Sequence, residues 1–217
     1  MKRGKRELRD NRRLRRWELA LMLGVALTIL AGVWLDAQQA ALADKLLRLH
    51  VIANSDTGPD QALKLEVRDA VLAQAEALIP AGATLEEAQA VLSTHLEDLA
   101  LAGAEVVARE GYDYPVTASL EEDCWFPTRD YTDFSLPVGS YTALRVVIGD
   151  GEGRNWWCVV FPPLCLGSVS ETVETSGAST GLTDQEVALI TGADEGYVVK
   201  FKAVELWEQF RGWIEGR

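Results

Sequence analysis

The sequence predicts an α+β domain with an antiparallel or mixed sheet and helices packed on one face, preceded by an N-terminal signal or anchor helix. Three observations lead to this fold class. Apolar residues recur with helical spacing in the first half of the chain, they alternate with strand spacing in the second half, and a basic arm with an apolar segment precedes both. The 217 residues suit one domain, at 46–217, behind a linker at 36–45.

The N-terminus has the charge pattern of an export signal. Residues 1–16 contain nine Lys and Arg residues against Glu7 and Asp10, and an apolar segment follows, so that residues 1–35 form one unit. Residues 19–35 are typical of a signal peptide or a short membrane anchor. The positive-inside rule keeps the arm in the cytoplasm and predicts export of the rest. Residues 41–43, Ala-Leu-Ala, offer a cleavage site, and both a cleaved signal and a retained anchor fit the sequence.

The charge of the exported part excludes some partners. Of the 21 basic and 33 acidic residues, nine and three lie in residues 1–35, which leaves a charge of about −18 on residues 36–217. Such a domain is repelled by nucleic acid and by anionic lipid surfaces. We therefore expect no nucleic-acid partner, and membrane contact only through residues 19–35.

The first half of the domain predicts one strand and two helices. Leu47, Leu49 and Val51 alternate with polar residues, which predicts a strand, and the turn that follows leads into a helix with Pro59 in its first turn. Thr84 and Glu87 form a capping box for a second helix, for which Gly103 is the predicted end.

The second half predicts strands at residues 104–110, 112–120, 141–148 and 155–161. We expect the last two to form a hairpin through the glycine-rich residues 149–155. Its second strand is apolar throughout, so Trp156 and Trp157 point to opposite faces, and at least one of them needs a second layer or a partner to cover it.

The last part of the chain predicts further elements. Residues 168–181 are polar and low in complexity, which predicts a mobile loop. A short helix capped by Thr183 and Glu186, a strand at 197–201 and a terminal amphipathic helix follow.

Motifs for catalysis or metal binding are absent from the sequence. His50 and His95 have no zinc-site spacing, and no nucleophile elbow is present. A Cys-His nucleophile formed by Cys158 and His50 is conceivable, but an apolar strand would raise the pKa of the thiol and reduce its reactivity. We expect no catalytic residues, metal, cofactor or small-molecule substrate.

Three cysteines in an exported chain leave one thiol over. Cys158 and Cys165 are the preferred pair, because residues 162–163, Pro-Pro, let the chain reverse between them. Cys124 would then be free, although the sequence also permits its pairing with either of the others.

Several long motifs carry a resemblance to a known family. They are RLHVIANSD at 48–56, DQALKLEVRDAV at 60–71, GYDYPV at 111–116, FPTRDY at 126–131, and the run from 141 to 165 that contains NWWCVVFPPLC. In this order, behind an export signal, they resemble the stage II sporulation protein R family of endospore-forming bacteria. The resemblance covers residues 46–166, with a weaker match at 198–206.

The resemblance implies a signalling role and not catalysis. Proteins of this family are made in the forespore and exported into the space between the two membranes. There they are needed to activate a membrane-embedded aspartic protease of the mother cell, which cleaves the pro-form of sigma factor E. The resemblance implies contact residues in the hairpin, in the turn at 54–56 and in the strand before that turn: His50, Asn54, Ser55, Asp56, Trp156 and Trp157. The alternative is an envelope hydrolase acting on wall material, with His50 and an Asp or Cys as its catalytic residues.

Overall fold

The computed structural model describes residues 17–33, 41–131 and 134–165. Residues 17–33 form helix α1. No helix in this part of the chain has both the length and the apolar character that crossing a membrane requires. The basic arm, the loop predicted at 168–181, and the helices and strand predicted after it lie outside the described residues.

After α1, the described elements are β1 (Leu47–Ile52), α2 (Gly58–Leu78), α3 (Leu85–Thr94), α4 (Leu96–Arg109), β2 (Val116–Phe126), β3 (Arg129–Asp130), β4 (Ser135–Leu136), β5 (Gly139–Ile148) and β6 (Asn155–Phe161). Four strands form a sheet in the order β2-β5-β1-β6, and β3 pairs with β4. β1 runs parallel to β5 and antiparallel to β6, and β2 is antiparallel to β5. The sheet is therefore mixed, which confirms the predicted α+β class.

The hairpin predicted from residues 141–161 is wrong, because β1 lies between its two strands. His50 pairs with Arg145 of β5 on one side and with Trp157 of β6 on the other. The glycine-rich link does not turn back on its own strand but crosses the end of β1, which separates β5 and β6 by about 10 Å. Strand periodicity marks each strand but carries no information about its neighbour.

The strand predicted at 104–110 is also wrong, because residues 104–109 lie in the second half of α4 and Glu110 caps its C-terminus. Gly103 does not end a helix but lies inside α4, where a Cβ atom would meet Val116 at 3.0 Å and Val67 at 3.1 Å. The glycine therefore allows close approach of α4 to α2 and β2. The break occurs instead at His95, whose backbone (φ −119°, ψ 25°) separates α3 from α4.

The two faces of the sheet are covered differently. The helices pack on one face, around a cluster that includes Leu49 and Val51 of β1, Val67 of α2 and Val106 of α4. On the other face a smaller cluster forms around residues from the helical turn at 41–43, the β3–β4 region and the strands: Leu42, Leu46, Phe126, Phe134, Leu136, Tyr141, Ala143, Val159 and Leu164. The prediction of helices on one face agrees with this arrangement of the described residues.

Two local predictions are confirmed at atomic level. The Thr84 hydroxyl accepts from the backbone N–H of Glu87, and the Glu87 carboxylate accepts from the backbone N–H of Thr84, which completes the predicted capping box. Cys158 and Cys165 form the predicted disulfide, with Cα atoms 5.6 Å apart. Cys124 is a free, half-buried thiol, and burial raises its pKa.

Candidate functional site

The predicted turn at the end of β1 binds the link that crosses it. The Asn54 side chain accepts from the backbone N–H of Asp150 at 3.0 Å, and its backbone carbonyl accepts from Glu152. Gly149 has a φ of 59°, and any side chain there would collide with Asn54. A Cβ atom at Gly153 would likewise collide with the backbone carbonyl of Ser55. The glycines thus permit a tight crossing.

A buried carboxylate organises the same turn. Asp60, in the first turn of α2, is only 4% exposed, and its Oδ2 accepts from Ser55 Oγ at 2.5 Å and from Asn54 Nδ2 at 3.0 Å. The hydrogen bonds from Ser55 and Asn54 lower the pKa of this carboxyl. The side chains of Asn54 and Ser55 therefore form hydrogen bonds within the domain. These two predicted contact residues thus have a structural role.

Asp56 and Lys64 fix the far end of the crossing link. Asp56 Oδ1 accepts from the backbone N–H of Arg154 at 2.7 Å. Lys64 is 4% exposed and donates to the Arg154 carbonyl at 2.9 Å and to Gln61 at 2.7 Å. Burial lowers the pKa of Lys64. These contacts join α2, β1 and the entrance to β6 into one rigid corner.

His50 and Trp157 lie together on the sheet face opposite the helices. Their rings are stacked, with centroids 3.9 Å apart and planes 18° apart, and Phe126 contacts the Trp157 ring edge-on at 4.7 Å. The His50 Nε2 atom is 3.0 Å from Asn155 Oδ1, and burial lowers the pKa of the imidazole. A neutral imidazole stacked on an indole, both half-buried, forms an aromatic platform at the surface.

Polar groups extend this platform across the sheet. The strand register places Ser119, Arg145, His50 and Trp157 side by side in one row. Arg145 bonds Glu121 at 3.1 Å, and both side chains are more than one-third exposed. We call this row the open-face row. It combines aromatic area with hydrogen-bonding groups on rigid strands, a composition typical of protein-binding surfaces.

Trp156 does not belong to this surface. It lies on the helix side, where it packs against the main core and where the Arg68 guanidinium lies 4.4 Å from its ring centre. Its buried Nε1 atom has no hydrogen-bond partner in the described structure. The six predicted contact residues thus occupy three places: the open-face row, the turn after β1, and the helix side of β6.

Arg48 is the important residue that sequence reasoning missed. It is fully buried, with its guanidinium 4.3 Å from the centre of the Phe126 ring and 4.9 Å from that of Tyr141. Its Nε donates to the Cys158 carbonyl at 2.8 Å and its Nη2 to the Tyr131 hydroxyl, while Nη1 has no partner in the described structure. Burial lowers the pKa of Arg48 and raises that of Tyr141 to about 12.

Arg48 supports the open-face row from the same face of the sheet. The Tyr131 hydroxyl that accepts from Arg48 donates to the Trp157 carbonyl at 2.9 Å, so the buried cation is linked through Tyr131 to the backbone that carries the platform. The sequence did contain an indication of this role, because Arg48 lies between Leu47 and Leu49 in a strand that the apolar residues mark as buried. A charge at such a position requires buried partners.

The described residues hold no group of three or more His, Cys, Asp or Glu side chains with metal-binding geometry. The Cys-His nucleophile considered from the sequence is wrong, since Cys158 is bonded to Cys165. His50 pairs with an amide oxygen, that of Asn155. The fold and the site therefore define an α+β domain with a rigid aromatic and polar surface.

Comparison with known proteins identifies the family. The family model for stage II sporulation protein R matches residues 43–171. The chain is 32% identical to stage II sporulation protein R of Bacillus subtilis (strain 168) over 165 residues, which cover 74% of this chain and 73% of that protein. No solved structure matches. The chain belongs to the stage II sporulation protein R family, and its role lies in sporulation.

Proposed function

We propose that this protein is an exported signal of endospore formation, needed to activate a membrane-embedded aspartic protease of the mother cell that processes the pro-form of sigma factor E. The forespore exports it to the intermembrane space, where it is secreted or stays anchored through its N-terminal segment. Family membership supports the sporulation role. The basic arm followed by an apolar segment supports export.

The observation that carries the proposal is the open-face row. A signalling protein of this kind acts by contact, and contact energy concentrates in aromatic residues and arginine held on rigid elements. Trp157 of β6 stacks on His50 of β1, and Arg145 of β5 pairs with His50 on its other side, so three adjacent strands supply both types of residue. Helices cover the opposite face of the sheet, whereas in the described part of the chain His50 and Trp157 are half-buried and Arg145 is more than one-third exposed on this face.

The test is reconstitution in a non-sporulating host. The full chain is expressed with its cognate membrane protease and the pro-sigma substrate, and substrate cleavage is scored on a blot, with a form lacking residues 1–35 as the export control. We expect cleavage with the exported form only. Absence of cleavage, with the domain folded and exported and the protease present, would contradict the proposal.

Matched tryptophan variants test the surface. Trp157→Ala removes the platform, whereas Trp125→Ala removes a tryptophan that is 60% exposed on the edge strand β2. We expect Trp157→Ala to reduce cleavage by at least about tenfold, as for a central interface residue, and Trp125→Ala to retain it. Circular dichroism and a melting curve establish that each variant is folded. Equal cleavage by both folded variants would exclude the open-face row as the contact.

A hydrolase acting on wall material is the second candidate, because His50 is a half-buried base whose pKa is lowered by burial. His50→Gln keeps a hydrogen-bonding group at that position. Release of soluble fragments from purified cell walls by the wild type, and its loss in a folded His50→Gln variant, would favour this reading. Undiminished protease activation by that variant, without wall-degrading activity in either protein, would remove it.

A further inference from the structure

An open pocket of about 300 Å³ lies on the helix side of the sheet, away from the open-face row. The end of α2 and the loop before α3 form one wall through Ile79, Pro80 and Ala83. The end of β6 forms the other through Phe161 and Pro162. The site proposed above uses none of these residues.

Both walls of the pocket are fixed by the fold. The N–H of Ile79 donates to the Ala75 carbonyl, and that of Ala83 to the Pro80 carbonyl, each at 3.1 Å. The opposite wall ends in a Pro-Pro pair enclosed by the disulfide that joins Cys158 to Cys165. A pocket between such elements exists before any ligand arrives, so binding costs little reorganisation.

The chemistry of the lining is asymmetric. Its walls are formed by aliphatic, aromatic and proline side chains, and among the described residues that line it Glu76 is the only charged one. Glu76 is exposed, and in the described part of the chain it has neither an ion pair nor a side-chain hydrogen bond. An apolar slot with one available carboxylate at its side selects a ligand with an apolar body and a cationic end.

We propose that this pocket binds an arginine side chain presented by a peptide segment of a partner protein. The volume lies at the lower limit of small-molecule sites and suits a single long side chain. The aliphatic stem of arginine packs against Ile79 and Phe161, and its planar guanidinium pairs with the Glu76 carboxylate through two parallel hydrogen bonds. The pocket is thus a second contact surface, chemically distinct from the open-face row.

The test is an NMR titration of the exported chain, labelled with ¹⁵N, with the tripeptide acetyl-Ala-Arg-Ala-amide. We expect shifts concentrated at the amides of Gly82 and Ala83, and little response to acetyl-Ala-Gln-Ala-amide. Glu76→Gln should raise the Kd by about fivefold or more, and Ala81→Trp, which fills the mouth, should abolish the shifts. Because the readout is binding, the result does not depend on protease activation.

Glu105→Gln is the matched control, since it makes the same charge change at an exposed position of α4 outside the pocket. It should leave the Kd unchanged. The proposal is overturned if both glutamate variants weaken binding equally, which would indicate general attraction to an acidic protein. It is equally overturned if the glutamine peptide binds as well, or if no shift occurs up to about 10 mM peptide.

Discussion

Replacing Asp60 by asparagine tests the buried corner that joins α2 to the end of β1. The carboxylate accepts two hydrogen bonds, from Ser55 and Asn54, at a position only 4% exposed. Bonds to a charged acceptor contribute about 1.5–3 kcal/mol each, and bonds to a neutral amide oxygen about 1 kcal/mol. Two bonds therefore lose about 2 kcal/mol in total, and removal of a negative charge from the first turn of α2 adds about 0.5 kcal/mol.

We expect Asp60→Asn to lower the free energy of unfolding by about 2–3 kcal/mol at pH 7. The measurement is urea denaturation followed by tryptophan fluorescence. Asp69→Asn is the matched control in the same helix, since Asp69 is half exposed and, within the described residues, pairs only with its neighbour Arg68. That change should cost no more than about 0.5 kcal/mol.

The pH dependence follows from the lowered pKa of Asp60. Because the folded protein holds this carboxyl below its ordinary pKa of 3.8, its stabilisation is fully present above that value and is lost as the pH falls through the folded pKa. Wild type and Asp60→Asn should therefore converge in stability at acid pH. Equal stability at pH 7, or a difference that does not change with pH, would refute the assigned role.

Three further predictions concern the link, the platform and the disulfide. Gly153→Ala should lower the free energy of unfolding, measured by urea denaturation, by about 1–3 kcal/mol, because its Cβ collides with the turn after β1. Gly58→Ala, which has open space around it, should not destabilise the protein. Equal effects of the two substitutions would contradict the tight crossing. Burial lowers the His50 pKa, so the wild type loses stability as the pH falls below 6.5. His50→Gln should make the free energy of unfolding less dependent on pH in this range. Parallel pH profiles of the two proteins would remove His50 as the cause. Cys165→Ser, which breaks the disulfide, should lower the free energy of unfolding by about 2–3 kcal/mol, and Cys124→Ser should lower it much less. Thermal unfolding measures both, and the reverse order would contradict the pairing.

Local patterns predicted the individual elements near the start of the domain. The alternation around Leu49 marked β1, and the Thr84–Glu87 capping box marked the start of α3, because caps and side-chain alternation depend on residues that are close in sequence. The pairing of Cys158 with Cys165 was predicted for the same reason, since only seven positions separate the two cysteines.

Non-local packing explains the two errors. Glycine is common at helix ends, which is why Gly103 was predicted to end a helix. In the structure α2 and β2 approach Gly103 so closely that only glycine fits at this position inside α4. The strands on either side of the glycine-rich link have the composition of a hairpin, but β1 enters between them from almost a hundred residues earlier. Neither the packing of α4 against α2 and β2 nor the position of β1 between β5 and β6 can be predicted from a local sequence pattern.

The sequence by itself determined the family, the α+β class and the residue types of the candidate surface. Only the tertiary structure decided that Trp157 joins His50 on the open face while Trp156 faces the core, and that Asn54 and Ser55 bind Asp60. It also revealed Arg48 as the buried support of the platform. The physical reason is that strand order and register set which distant side chains share a face, and these depend on packing across the whole domain.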